Sequence, residues 1–207
     1  MNLVRVLLIA AAAAGGLTAA ARAQDARLMR RLEPSAVAAV TVLVDSAQLQ
    51  GLPAEPLIQK ALEGASKQAS AEAILAALRA LRVRLLEARS ALGNASNGEL
   101  VAGAAALDAG ARAGDLKRLR PYANAAHLTN AFLGLTFLLQ RGVAPDNATS
   151  IVASMLDARL SGSDFTKLQR LVDQDIRAGA PPAEAARVRS KALILHGARS
   201  REEGGAP

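Results

Sequence analysis

The sequence predicts an all-α protein of antiparallel helical hairpins, stacked as a short α-solenoid-like array or packed as an irregular multi-helix bundle, behind an N-terminal signal peptide. Three observations predict it. Apolar residues recur at spacings of three and four over several long stretches. The joints between those stretches repeat one pattern of acid, glycine and proline. The chain is alanine-rich and only 2% aromatic, a composition poor in strand formers.

The first element is the signal. Arg5 supplies a short positive region, Val6 to Ala14 an apolar run, and Gly15-Gly16 a break; Ala21-Arg22-Ala23 fits the small-x-small rule for cleavage before Gln24. The apolar run is shorter than the ~20 residues a spanning helix needs, so cleavage is expected over retention as an anchor. Removal of residues 1–23 leaves 184 of the 207, enough for one core of ordinary size. The expected organisation is a signal at 1–23, a single helical domain at 24–196, and a disordered tail at 197–207 that lacks apolar anchors. The expected location is periplasmic or secreted, with no stable membrane span after cleavage.

With no cysteine, the chain has no disulfide, no thiolate nucleophile and no lipid-bearing cysteine, so packing alone must stabilise it. The formal charge of +7 falls to +5 when Arg5 and Arg22 leave with the signal, which contains no acid. That balance admits an anionic envelope polymer as partner. Nucleic acid is not expected, because the arginines are dispersed among acids and no basic run is interleaved with aromatics.

The mature chain reads as eight helices, near 35–50, 54–65, 70–92, 98–111, 115–141 with a break at Pro121, 145–160, 163–178 and 181–196. Val40-Thr41-Val42-Leu43-Val44 is β-branched enough to pass for a strand. It is read as helix because a lone strand among helices would leave its backbone groups unpaired. The strongest stripe is Ile74, Leu78, Leu81, Leu85, Ala88 and Leu92, with Ser70 placed to cap the helix and Glu72 in its first turn. Leu128, Phe132, Leu135 and Leu139 form a second stripe, and Phe165, Leu168, Val172 and Ile176 a third.

The joints are the most regular feature. Leu43-Val44-Asp45 leads to Gly51 and Pro53, and Leu171-Val172-Asp173 leads at the same spacing to Gly179 and Pro181; Leu138-Leu139, Gly142 and Pro145 form a looser copy. A second joint runs from Leu107-Asp108-Ala109 through Gly114-Asp115 to Leu116 and Leu119. Its counterpart runs from Leu156-Asp157-Ala158 through Ser163-Asp164 to Phe165 and Leu168. Stacked hairpins of this period resemble α-helical repeats of the tetratricopeptide and HEAT-like kind. The Trp, Gly-Tyr and Phe positions of the tetratricopeptide consensus are lacking, so no family is carried over.

Motifs for chemistry are few. The chain has two histidines, His127 and His196, no Gly-x-Ser-x-Gly elbow, no His-x-x-x-His pair and no phosphate-cradling loop. No catalytic residue, metal ligand or cofactor is assigned. Polar variety concentrates between Pro121 and Thr136, and Tyr122, Asn124, His127 and Asn130 are the candidate binding residues, three of them at spacings that share one helix side. The expected function is therefore an exported, non-enzymatic helical-repeat protein that binds a protein or an envelope polymer. The alternatives are a chaperone-like stress protein with exposed apolar residues, and a cell-wall hydrolase built on a buried glutamate, with Glu63, Glu72, Glu87 and Glu99 as candidates. Asp45, Asp108, Asp157 and Asp173 are read as acids that brace or solvate helix ends.

Overall fold

A computed structural model describes residues 26–122 and 125–204, with side chains throughout these except at 125–127 and 200–204. The expected signal at 1–23 lies outside the described residues. Among the described residues the protein is all-helical, without a strand. After a short helical lead-in the elements are α1 (Pro34–Leu49), α2 (Ala54–Ser66), α3 (Ala71–Leu92), α4 (Asn97–Asp108) and α5 (Ala113–Leu119). A 3₁₀ turn (Arg120–Tyr122) follows, then α6 (Ala125–Gln140), α7 (Pro145–Asp157), α8 (Gly162–Arg177) and α9 (Pro182–Gly204). No helix among the described residues is long and apolar enough to cross a membrane.

The β-branched stretch at 40–44 is helical, in the middle of α1, with Val40 and Val44 in the core. The break expected at Pro121 is there too. Proline cannot donate the next helical hydrogen bond, and the chain tightens into the 3₁₀ turn before α6 starts. At the other end α9 continues past His196 to Gly204, whereas the sequence places the end of the last helix at His196. Residues 198–203, Ala-Arg-Ser-Arg-Glu-Glu, carry no glycine or proline to break the helix.

Two units divide the chain, residues 1–82 and 83–207, with the division inside α3. In the first, Val40, Val44, Leu57, Ile58 and Leu78 are buried. The lead-in is tied to α2 by Arg27, which donates to both oxygens of Glu55 at 2.9 Å, while Gln59 donates to the same carboxylate at 2.6 Å. Gly64 lets Ile74 approach so closely that an added Cβ would lie 2.7 Å from its Cγ1.

The second unit is built in two rows. Contacts link α4 to α6 and α6 to α8 in one row, and α5 to α7 and α7 to α9 in the other; α6–α7 and α8–α9 close as hairpins between the rows. Leu116, Leu119, Leu128, Phe132, Leu135, Phe165, Leu168 and Val172 fill the space they enclose. The second sequence stripe is thus a core face, Leu139 included, and the third is one from Phe165 to Val172, with Ile176 half-buried.

One kind of helix end recurs. The N–H three residues past the helix reaches back five residues at Leu52 to Ala47, Ala111 to Ala106, Val143 to Leu138, Leu160 to Met155 and Ala180 to Asp175, each at 2.9–3.0 Å. This bond closes the helix when the preceding residue is left-handed. That residue is Gly110 (φ 108°) in the α4–α5 joint and Arg159 (φ 53°) at the corresponding place in the α7–α8 joint. Leu52, Ala111, Val143 and Leu160 then bury their side chains.

Candidate binding groove

Helices α6 and α8 lie side by side, and small residues set how closely. Gly134 on α6 faces Phe165, with room so short that a Cβ there would stand 2.9 Å from the ring Cδ1. Gly162, the first residue of α8, faces Asn130, and a Cβ there would stand 2.4 Å from Asn130 Nδ2. At the far end Arg141 Nε donates to Asp173 Oδ1 at 2.7 Å and Nη2 to Oδ2 at 3.2 Å. The pairs 130/162, 134/165 and 141/173 keep nearly one offset, so the two helices run parallel in fixed register.

Above this seam lies an open groove in two overlapping stretches of about 350 Å³ and 560 Å³. Its α6 wall is Asn130, Leu133, Phe137 and Gln140, one helical stripe; its α8 wall is Thr166, Gln169, Asp173 and Arg177, another. Thr136, Arg141, Phe165, Arg170 and Gln174 complete it. Leu133 is 46% exposed, and the Arg141 guanidinium carbon sits 5.0 Å from the centroid of the Phe137 ring, a cation–π distance. The hydrogen bond from Arg141 holds the Asp173 carboxyl below its ordinary range against the opposing effect of burial, and the charges of Arg141 and Arg177 add to it.

Of the four residues singled out in the sequence, Asn130 belongs to this groove. Tyr122 is 46% exposed in the 3₁₀ turn and is not among the groove's walls. Asn124 lies outside the described residues, and His127 is placed by its helical backbone alone. The α8 wall was not read from the sequence. Its signal was the polar stripe Thr166, Gln169, Asp173 and Arg177, which lies off the Phe165–Leu168–Val172 face.

The other row carries a second groove between α7 and α9, about 500 Å³, with hydroxyls from Ser150 and Ser154 opposite Arg187 and Lys191 over Ile151 and Ile194. Both Ser154 and Ser190 donate to carbonyls of their own helices, at 2.9 and 3.1 Å. Arg187 is held by Glu184.

Helix capping accounts for the buried acids. Glu99 is 1% exposed; its Oε2 accepts from Ser96 N–H at 2.7 Å and its Oε1 from Arg120 Nη1 at 3.0 Å, while Ser96 Oγ accepts from Glu99 N–H. Glu63, Glu72 and Glu87 lie on helix surfaces, the first paired with Lys60 and Lys67 and the last with Arg84. Asp115 Oδ2 accepts from the backbone N–H of Arg112, whose guanidinium donates to both oxygens at 3.0 Å and also reaches Asp146. Burial pushes the Asp115 carboxyl up, but these bonds outweigh it and leave it below its ordinary value. Asp164 repeats the arrangement on Ser161, accepting from its N–H at 2.9 Å and its hydroxyl at 2.7 Å. Asp45, Asp108 and Asp157 are exposed, and Asp173 is the one in an ion pair. Among the described residues no three His, Asp or Glu side chains converge on a point where a metal ion would sit.

Comparison with family models, curated proteins and solved structures finds no match to the chain.

Proposed function

We propose that the protein is an exported, non-enzymatic helical-repeat protein whose α6/α8 groove binds an extended segment of another polypeptide. The observation that carries the reading is the composition of the groove. Gln140, Gln169 and Gln174 each present a carbonyl acceptor and an amide donor, the same pair of groups that a peptide unit offers in reverse. Leu133 and Phe137 line the same groove as an apolar bed for side chains. A groove that hydrogen-bonds main chain and shelters alternate side chains is how extended peptides are recognised. Export rests on the ordered charge, apolar run and small-residue site at 5–23.

The chaperone-like alternative wants exposed apolar residues gathered on one surface. Here Val42 and Leu49 are on α1, Val83 on α3, Val101 on α4, Leu133 on α6, and Val188 and Leu195 on α9. They are spread over the chain. For the hydrolase alternative, the buried glutamate is Glu99, and both of its oxygens are engaged by the helix cap and Arg120.

The test is a titration of the full chain against labelled short peptides of alternating leucine and serine, read by fluorescence anisotropy. Binding that weakens in Gln169→Leu and in Phe137→Ala is the expected result. Absence of binding across a varied set of extended peptides would contradict the reading.

A further inference from the structure

The groove changes character along its length. From Asn130 to Gln140 its walls are amide, hydroxyl and apolar; beyond Phe137 they gather three arginines, Arg141, Arg170 and Arg177, against one acid, Asp173. Asp173 is committed to Arg141 through two hydrogen bonds. Arg170 and Arg177 are exposed, seven residues apart on the same wall, and flank that pair. Two positive charges are therefore left over at one end. Other acids of α8 do not offset them: Asp164 pairs with Lys167 and Asp175 with Arg189, and neither lines the groove.

Resting on the peptide-binding reading above, we propose that the partner of the α6/α8 groove is an acidic extended segment whose carboxylates lie at the Arg170–Arg177 end and whose apolar side chains lie at Leu133 and Phe137. Lengths agree with a short motif. The α6 wall from Asn130 to Arg141 spans about 17 Å at 1.5 Å per residue, which an extended chain covers in about five residues. Arg170 and Arg177 stand about 10 Å apart along α8, the reach of about three extended residues. Both arginines are solvated, so the attraction adds to affinity modestly and weakens with salt. It acts chiefly as a filter on which segment enters.

Four probes against the full chain test this: a peptide with a leucine–serine half and an aspartate half, the same peptide with asparagine for aspartate, the aspartate peptide with N-methylated backbone amides, and inorganic polyphosphate. The aspartate peptide is expected to bind on the order of tenfold more tightly than the asparagine one at low salt, a difference worth about 1.4 kcal/mol. That margin is expected to vanish in Arg170→Gln/Arg177→Gln, whose thermal melt confirms that it folds, and to persist in Gln169→Leu, which weakens both peptides alike. N-methylation is expected to abolish binding. Equal binding of the aspartate and asparagine peptides overturns the acidic partner and leaves the peptide reading standing. Failure of both overturns the peptide reading itself. Polyphosphate binding lost in the arginine double variant, with the N-methylated peptide still bound, replaces the peptide with a polyanion and overturns the proposal.

Discussion

Asp115 and Asp164 show how single carboxylates hold this protein's joints. Each sits three residues into its helix and accepts from the N–H of the residue that starts it, so removing either leaves an N–H without its partner. Asp164→Ala is expected to lower stability by about 1 kcal/mol, read as a shift in urea midpoint at unchanged slope. Asp115→Ala is expected to cost more, because Arg112 loses a nearly buried partner; Thr149, whose buried hydroxyl lacks a hydrogen bond of ordinary geometry, faces the same carboxylate. At Glu55 the hydrogen bonds from Arg27 and Gln59 lower the carboxyl from its ordinary 4.5 to about 2. A depressed folded value means the stabilisation is present above the unfolded value and is lost as pH falls from about 4.5 through about 2. Glu55→Gln is thus expected to melt slightly below wild type at neutral pH and to converge with it near pH 2, the gap being small because both partners are half exposed. A gap that grows toward low pH would contradict this. A helix start near 98 is legible from the apolar pattern, but the cap at Ser96 was not singled out, although Ser-x-x-Glu before an apolar run marks one. Nor does that motif show the bond that Glu99 accepts from Arg120, 21 residues away in sequence.

At the scale of the helix and its ends, the α4–α5 and α7–α8 joints use the same bond around different residues. Gly110 adopts φ 108° without a side chain to oppose it, while Arg159 holds φ 53° against the usual preference of an L residue. Arg159→Gly is therefore expected to raise stability by up to about 1 kcal/mol, and Gly110→Ala to lower it by about as much, both by urea unfolding. Equal and opposite effects are not required, but a destabilised Arg159→Gly would overturn the account of that joint. The glycine–proline punctuation made the joints that it marks readable to within a few residues. Arg159 was not readable as a helix end, since nothing local marks arginine for a left-handed turn; its partner bond to Met155 and the burial of Leu160 select that conformation. The register of α6 on α8 hid in the sequence for a similar reason. Nothing in the sequence pattern singles out Gly134, and only its opposition to Phe165 makes it a notch. Gly134→Ala is expected to cost about 1–3 kcal/mol, because the ring it would strike is itself buried and cannot swing away.

Across the molecule, the sequence singled out one residue of the groove, Asn130, and missed the rest. Asn130 belongs to a polar segment that stood out against an alanine and leucine background, whereas Gln169, Arg170 and Arg177 lie on a helix whose polar face looked like any solvated surface. Their significance comes from parallel packing at a nearly constant offset, which periodicity within one helix cannot express. Export is a proposal at this scale as well, and N-terminal sequencing of the secreted or periplasmic form is expected to begin at Gln24; recovery of an intact Met1 would contradict cleavage. The central claim is that the α6/α8 groove receives an extended acidic segment. It is tested most directly by mapping backbone amide chemical shifts of the isotope-labelled full chain as the leucine–serine–aspartate peptide is added. The account predicts saturable changes concentrated in residues 130–141 and 166–177. Changes centred on α7 and α9, or scattered without a focus, would contradict it.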